Sequence, residues 1–156
     1  MKVLSLFTFI FFLFTIDANA QSKKAIVKYG IKSSTETITE DNKTTNSTKI
    51  TYTKTGEVAE ETDYNKQGEI KEIKRFVYNK NDKEIEENVF SPANVLIEKK
   101  TTKYNLDGDK LEEVYYKGGK KTKSHIYIYN AKGLKTEKRT LDEKGEVVSV
   151  HRFMYN

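Results

Sequence analysis

The chain has 156 residues, and 28 Lys and Arg against 23 Asp and Glu give it a formal net charge of +5. It contains no cysteine, which excludes disulfides, thiol catalysis and cysteine metal sites. Its basic residues are spread along the chain rather than clustered, which argues against nucleic-acid binding and suits weak attraction to anionic surfaces or glycans.

The first 20 residues have the three parts of a secretory signal peptide. Lys2 gives a charged start, residues 3–16 form an apolar run, and Ala18 and Ala20 are the small residues that signal peptidase reads. The apolar run of 14 residues is short of the roughly 20 needed to span a bilayer, so a membrane anchor is the less favoured reading. We therefore expect cleavage after Ala20 and export to the periplasm, the outer surface or the medium. Residues 21–156 would form one domain without a transmembrane segment.

An internal repeat of about 26 residues fills the rest of the chain. One series of tyrosines has spacings of 26, 26, 25 and 26 residues: Tyr52, Tyr78, Tyr104, Tyr129 and Tyr155. A second series lies midway between them: Ile38, Tyr64, Phe90, Tyr116 and Leu141. Extending the first series back by one period gives Ile26 followed by Gly30, so we expect the repeat to begin there.

Turn residues follow the members of both series. Gly, Asn or Asp ends each turn, as a left-handed backbone favours, and Asn, Asp or Ser starts most of them, as in a type I turn. Pro92 stands at the second position of its turn, where a fixed φ is favourable. The turn at Gly118-Gly119 is one residue shorter than the others and predicts a two-residue hairpin, which explains the period of 25.

The segments between turns have about eight and ten residues in alternation and are rich in Val, Ile, Thr, Tyr and Phe. These are strand lengths and strand residues, and the frequent turns leave no room for long helices. We expect an all-β fold, an antiparallel meander of about ten or eleven strands in which each repeat supplies two strands. The pattern is compatible with an open sheet, a coiled sheet or a closed barrel.

A simple hairpin register places an acidic residue opposite a basic one in four successive repeats. The expected pairs are Glu60 with Lys74, Glu86 with Lys100, Glu112 with His125, and Glu137 with His151. We interpret them as a structural charge ladder, each pair contributing roughly 0.2 to 1 kcal/mol. A carboxylate opposite a histidine raises the imidazole pKa, so mild acid would favour the fold. The two histidines would lie two strands, roughly 10 Å, apart, so we expect no shared metal ion, and no cofactor.

The first tyrosine series is expected to mark one rim of the sheet. Aromatic rings at strand ends usually pack against the rim of the sheet and shield its turns. Exposed rings among Lys and Asn residues can also stack on sugars or bind a partner protein. The candidate binding residues are Tyr52, Tyr78, Tyr104, Tyr129 and Tyr155. Apolar residues are sparse on both faces, so we do not expect a conventional two-layer core, and Lys and Glu stems would cover the sheet instead.

Adjacent glutamates offer the paired carboxylates that a glycoside hydrolase needs. They occur at Glu60-Glu61, Glu86-Glu87 and Glu112-Glu113. Neighbours in a strand point to opposite faces, however, and these pairs recur at one repeat position rather than marking a single site. We therefore favour a non-catalytic protein, with the hydrolase as the alternative.

The units Tyr64-Asn65-Lys66-Gln67-Gly68 and Tyr104-Asn105-Leu106-Asp107-Gly108 resemble the Tyr-Asp-x-x-Gly repeats of the RHS/YD family, with Asn in place of the usual Asp. The resemblance covers roughly residues 26–156. It implies an exported or surface β-hairpin scaffold, in a family with some links to carbohydrate binding, and it supplies no catalytic residue.

The expected function is that of a non-catalytic exported repeat protein, which presents an extended β surface to a glycan or protein of the cell envelope. A structural or inhibitor protein for a neighbouring gene product is a further alternative.

Overall fold

Ten strands form one antiparallel sheet, as the repeat predicts. The computed structural model describes residues 19–156, with side chains described from residue 23 onward. Each strand pairs with the next in chain order, which confirms the meander. Within the described residues, β1 pairs only with β2 and β10 only with β9, so the sheet is open. The elements are α1 (Asn19–Tyr29), β1 (Ser33–Glu40), β2 (Lys43–Tyr52), β3 (Val58–Tyr64), β4 (Ile70–Tyr78), β5 (Glu84–Phe90), β6 (Leu96–Tyr104), β7 (Lys110–Lys117), β8 (Lys120–Tyr129), β9 (Lys135–Leu141) and β10 (Val147–Arg152).

Local hydrogen bonds explain why the chain turns where it does. After Tyr64, the Oδ1 atom of Asn65 accepts hydrogen bonds from the backbone N–H groups of Gln67 and Glu69, at 3.0 and 2.9 Å. The turn closes on Gly68, whose φ of 84° is left-handed. The same pair of side-chain bonds recurs at Asn79, Asn130 and Asp142.

The two-residue turn predicted at Gly118-Gly119 is confirmed. The lysines that flank it pair directly, and the two glycines have φ angles of 56° and 77°, as a type I′ turn requires. Asp41 and Asn42 form a second two-residue turn, with φ angles of 50° and 60°.

A β-bulge close to every turn except the β1–β2 turn shifts the strand register by one residue from the predicted one. Tyr64 pairs with Ile70, as predicted, but Asp63 pairs with Glu72, which leaves Lys71 as the extra residue of the bulge. All four predicted charge pairs are therefore wrong by one residue. Glu60 lies opposite Arg75 instead of Lys74, Glu86 opposite Thr101 instead of Lys100, Glu112 opposite Ile126 instead of His125, and Glu137 opposite Arg152 instead of His151.

The register assigns the side chains to two faces, because directly opposed residues share a face and successive residues alternate. We call face A the face with the row Phe76, Glu87, Lys100, Tyr115 and Lys123 across β4–β8. A second row of face A crosses β6–β9 at Thr102, Glu113, His125 and Thr140. Face B carries the row Glu60, Arg75, Asn88, Lys99 and Tyr116.

The sheet is a single layer with almost no apolar core. Among the described residues, Ile26 and Val114 are the buried apolar side chains, at 5% and 9% exposure. This agrees with the sparse apolar residues of the sequence. The fold therefore depends on the backbone ladder, on cross-strand pairs, and on long Lys and Glu stems that lie over the sheet.

Helix α1 replaces the strand that the repeat predicts around Ile26. The repeat therefore starts at β1, and its extension back to Ile26 is wrong. The helix ends at Gly30, where the N–H groups of Gly30 and Ile31 donate to the carbonyls of Val27 and Ile26 at 3.3 and 2.9 Å. The predicted signal peptide, residues 1–20, lies outside the described residues except for its last two positions, which begin α1.

Candidate functional site

Helix α1 lies at one rim of the sheet, far from face A of β6–β9 along the strand order. Lys23 of α1 forms ion pairs with Glu57 and with Asp82, the latter with an Nζ–Oδ2 distance of 3.1 Å. These partners lie in the β2–β3 and β4–β5 turns, so α1 lies at this rim, beside the first half of the sheet. In the part of the chain that the structure describes, α1 is the only element outside the sheet. Face A of β6–β9 therefore has no covering element.

The predicted tyrosine series forms a row of hydrogen bonds along one rim. Tyr78 ends β4, and its hydroxyl donates to the carbonyl of Val58, the first residue of β3, at 2.9 Å. The same bond joins Tyr104 to Glu84, Tyr129 to Lys110 and Tyr155 to Lys135, at 2.8, 2.9 and 2.7 Å. Val58 in turn pairs with Tyr52 of the preceding repeat, whose hydroxyl lies 2.8 Å from the Oγ atom of Ser34.

These bonds give the rim tyrosines a structural role, because each hydroxyl ties a strand end to the bulged start of the neighbouring strand. Burial raises the pKa of Tyr78 to about 12, so this hydroxyl keeps the proton that it donates. The ring faces are the part of these residues that remains for a partner.

A charge ladder exists on face A, one residue along from the glutamates that the sequence predicts. Glu61 lies opposite Lys74, with an Oε1–Nζ distance of 2.8 Å, and Glu87 lies opposite Lys100. Partial burial opposes the charged form of Lys74, but its hydrogen bonds to Glu61 and Asp63 outweigh this and raise its pKa. The ladder therefore stabilises the charged form of Lys74.

The third pair of the ladder differs, because His125 takes the lysine's place opposite Glu113. Glu113 is only 5% exposed. Its carboxylate accepts hydrogen bonds from Lys110 Nζ at 2.7 Å, from the Tyr115 hydroxyl at 3.2 Å, and from the Tyr127 hydroxyl. The Nδ1 atom of His125 lies 3.4 Å from Glu113 Oε2 and 3.5 Å from the Tyr115 hydroxyl. We call these five residues the Glu113 cluster.

The pKa values of the cluster follow from burial and from these hydrogen bonds. Burial would raise the pKa of Glu113, but the bonds from Lys110 and Tyr127 outweigh it and lower the pKa to about 2. Burial also lowers the pKa of His125, and the neighbouring Lys138 and Lys123 add to this effect against the opposing effect of the hydrogen bond that His125 donates to Glu113. The expectation of a carboxylate that raises the histidine pKa is therefore wrong for His125. The Glu113 carboxylate therefore stays ionised, beside an imidazole whose neutral form is favoured.

A cleft of about 600 Å³ lies beside the Glu113 cluster on face A, lined by residues that include Val89, Lys100, Tyr115 and Lys123. The Nζ atom of Lys123 lies 4.7 Å from the centre of the Tyr115 ring. On the other side of the cluster, Lys138 Nζ lies 5.7 Å from the centre of the Tyr127 ring. The open part of face A therefore combines two aromatic rings with several lysines.

The predicted hydrolase carboxylates do not come together as pairs. Glu60 and Glu61 are consecutive in β3 and lie opposite Arg75 and Lys74 respectively, on faces B and A. The same separation applies to Glu86-Glu87 and Glu112-Glu113, which are consecutive in β5 and β7. Each pair is thus divided between the two faces of the sheet.

His125 and His151 lie on β8 and β10, two strands apart as predicted. His151 is opposite Lys138 rather than a glutamate. Among the described residues, no group of three or more His, Asp or Glu side chains is arranged to hold a metal ion.

The sequence does not predict the Glu113 cluster, although it contains one sign of it. His125 interrupts the series Lys74 and Lys100, which stand at the same repeat position. Tyr115 likewise stands where the two preceding repeats have Asp63 and Val89. These two departures from the repeat, at Tyr115 and His125, mark the unit that contains the cluster.

No helix among residues 19–156 has the length and apolar character needed to cross a membrane. No protein-family model matches the chain, and no curated protein matches its sequence. Among solved structures, the chain is similar to the crystal structure of a protein with unknown function from Bacteroides fragilis NCTC 9343, at 10% sequence identity and a TM-score of 0.44. The match covers 81% of this chain and 95% of that chain.

Proposed function

We propose that the chain is a non-catalytic, exported repeat protein whose face A binds an acidic polysaccharide of the cell envelope across β6–β9. The observation that carries this proposal is the open part of face A, where Tyr115 and Tyr127 lie among Lys100, Lys123 and Lys138. Sugar rings stack on aromatic faces, and lysines attract the carboxylate or sulfate groups of an acidic glycan.

The geometry of the sheet favours an extended polymer over a small ligand. Lys100, Tyr115 and Lys123 are directly opposed on β6, β7 and β8, so they form a row across the strands. Neighbouring strands are about 4.8 Å apart, so each two-strand repeat advances by roughly 10 Å. This is comparable to the length of a disaccharide unit, and a polysaccharide lying along the row would meet a ring or a lysine at each strand.

Further support comes from the fixed position of the two rings. The hydroxyls of Tyr115 and Tyr127 both donate to the buried carboxylate of Glu113, which holds the rings in place before any ligand arrives. A site that is already ordered loses less entropy on binding. The RHS/YD-like repeats, in a family with links to carbohydrate binding, and the signal-peptide pattern agree with a role at the cell envelope.

The proposal is tested by measuring the binding of heparin and polygalacturonate, two acidic polysaccharides, with neutral dextran as a comparison. We expect both acidic polymers to bind, dextran to bind at least tenfold more weakly, and added salt to weaken the binding. Tyr115→Ala and Lys123→Glu should each weaken binding by about tenfold or more, equivalent to roughly 1.4 kcal/mol.

Matched controls are Tyr64→Ala, a rim aromatic residue outside the proposed site, and Lys144→Glu, in the β9–β10 turn. Thermal unfolding of each variant separates loss of binding from loss of the fold. Equal binding of dextran and the acidic polymers, or equal losses from the face A variants and the controls, would contradict the proposal.

A further inference from the structure

The two edge strands have backbone groups that no other described strand pairs. β1 bonds only to β2 and β10 only to β9, so each presents an outer row of N–H and C=O groups within residues 19–156. Such edges are templates for pairing with another chain unless charges, proline or bulges guard them. β1 is exposed along its whole length, and β10 is exposed at five of its six residues.

The direction of the strands determines which edges can continue the sheet. In a meander consecutive strands are antiparallel, and ten is an even number, so β10 runs antiparallel to β1. A second copy displaced along the sheet therefore places its β1 antiparallel to β10 of the first copy. The resulting interface has the same strand order as the four even-to-odd interfaces inside the chain, β2–β3, β4–β5, β6–β7 and β8–β9.

The charges of the edges select this arrangement over the others. β1 carries Glu36 and Glu40 and no basic residue, whereas β10 carries Arg152 and His151 and no acidic residue. Pairing of β1 with a second β1 would oppose like charges, and pairing of β10 with a second β10 would bring the basic ends into one interface. Only β10 against β1 brings an acidic strand beside a basic one.

The repeat also supplies the register. Tyr52 pairs with Val58, the first residue of β3, and a bulge residue follows before Thr51 pairs with Glu60. By the same rule, Tyr155 aligns with Ser33, the first residue of the second copy's β1. Arg152 then lies opposite Thr37 of the second copy. His151 lies opposite Ile38, so Glu36 and Glu40, two residues before and after Ile38, lie on the same face as His151.

We propose that this protein associates head to tail with a second copy of itself, with β10 of one copy adding to β1 of the next and extending the sheet. The contact is heterologous and leaves one free edge at each end of a dimer. Larger assemblies therefore form as the protein concentration rises. It would also lengthen face A in the direction in which its rows run.

The absence of cysteine allows a direct test by disulfide trapping on the full exported chain. A Thr37→Cys protein is mixed with an Arg152→Cys protein under mild oxidation. Both positions are exposed, so neither change disturbs a buried contact. We expect the mixed disulfide at roughly tenfold or more above the yield from a control mixture of Lys132→Cys with Arg152→Cys, because binding raises the effective concentration of the paired thiols.

A charge-reversal experiment gives an independent readout. Sedimentation of the unmodified chain should show a mass that rises with concentration beyond that of a dimer. Glu36→Lys with Glu40→Lys should weaken this, and adding His151→Glu, which shares a face with positions 36 and 40 in the proposed register, should restore it. A constant monomer mass, trapping no better than the control, or trapping of Arg152→Cys only with itself would each overturn the proposal.

Discussion

At the scale of single residues, Glu113 is the most unusual group of this sheet. A carboxylate that is 5% exposed is costly unless its charge is compensated, and here Lys110, Tyr115 and Tyr127 all donate to it. The cluster fixes the rings of two tyrosines on the open part of face A. We interpret it as the group that orders the proposed binding surface.

Replacement of Glu113 should show this directly. Glu113→Gln keeps the shape but removes the charge that Lys110 and the two tyrosines share, so we expect a loss of about 1 to 3 kcal/mol in the free energy of unfolding. Urea unfolding measures it. Glu112→Gln is the matched control, since Glu112 lies on face B with the largely exposed Lys103 as its partner. Similar losses from both changes would contradict the special role of Glu113.

The cluster also predicts how stability depends on pH. The pKa of His125 is lower in the folded protein, so its stabilising contribution is present above the unfolded value of about 6.5 and is lost as the pH falls below it. The contribution of Glu113, with a folded pKa of about 2, is present above about 4.5 and is lost as the pH falls toward 2. Mild acid should therefore destabilise the fold, contrary to the expectation from sequence.

Unfolding free energies measured between pH 7.5 and 5 test the first of these two steps. His125→Gln should make the free energy of unfolding nearly independent of pH in this window. The loss of stability at lower pH, which comes from Glu113, should remain. Parallel curves for the unmodified protein and His125→Gln would show that His125 does not titrate as described.

At the scale of elements, the contact between α1 and the sheet depends on a glycine. Gly56 ends the β2–β3 turn with a φ of 84°, and a Cβ there would lie 2.9 Å from Val27 Cγ2 and 3.0 Å from the carbonyl oxygen of Lys23. Since that oxygen belongs to the helix backbone, α1 would have to move. The turn and the helix are therefore linked at this one position.

Gly56→Ala and Gly68→Ala form a matched pair that isolates this link. Both glycines have a φ of 84°, but nothing lies within 4 Å of a Cβ at Gly68. We expect both changes to cost about 1 to 2 kcal/mol for the left-handed backbone, and Gly56→Ala to cost more because it also displaces α1. Urea unfolding with circular dichroism at a helix wavelength measures both effects. Equal costs and unchanged helix content would contradict the docking of α1 on this turn.

The elements also show which features a sequence can reveal. Turn residues act locally, so Asn65 and Gly68 predict their hairpin, and the ten-strand meander follows from such turns. No residue near Lys71 indicates that a β-bulge forms there. This one extra residue places Glu61 instead of Glu60 opposite Lys74. Helix α1 was not predicted because Ile26 and Gly30 match the repeat, although Gly30 ends a helix there instead of a hairpin turn.

At the scale of the whole molecule, the described residues form a single-layer sheet that has no second layer over either face. Stability and binding then depend on the same surface residues, since the lysines and tyrosines that cover face A also form the proposed site. The Glu113 cluster could not be predicted because it needs the true register of β6, β7 and β8. Only that register places Thr102, Glu113 and His125 side by side.

The most direct test of the proposed binding surface is an NMR titration of residues 21–156 with an oligosaccharide of polygalacturonate. We expect shifts that depend on concentration at Tyr115, Lys123 and Tyr127 on face A, and none at Tyr64 or Asn88 on face B. Shifts confined to face B or to α1, or no shifts at millimolar oligosaccharide, where even weak binding of roughly 4 kcal/mol is detected, would contradict this account.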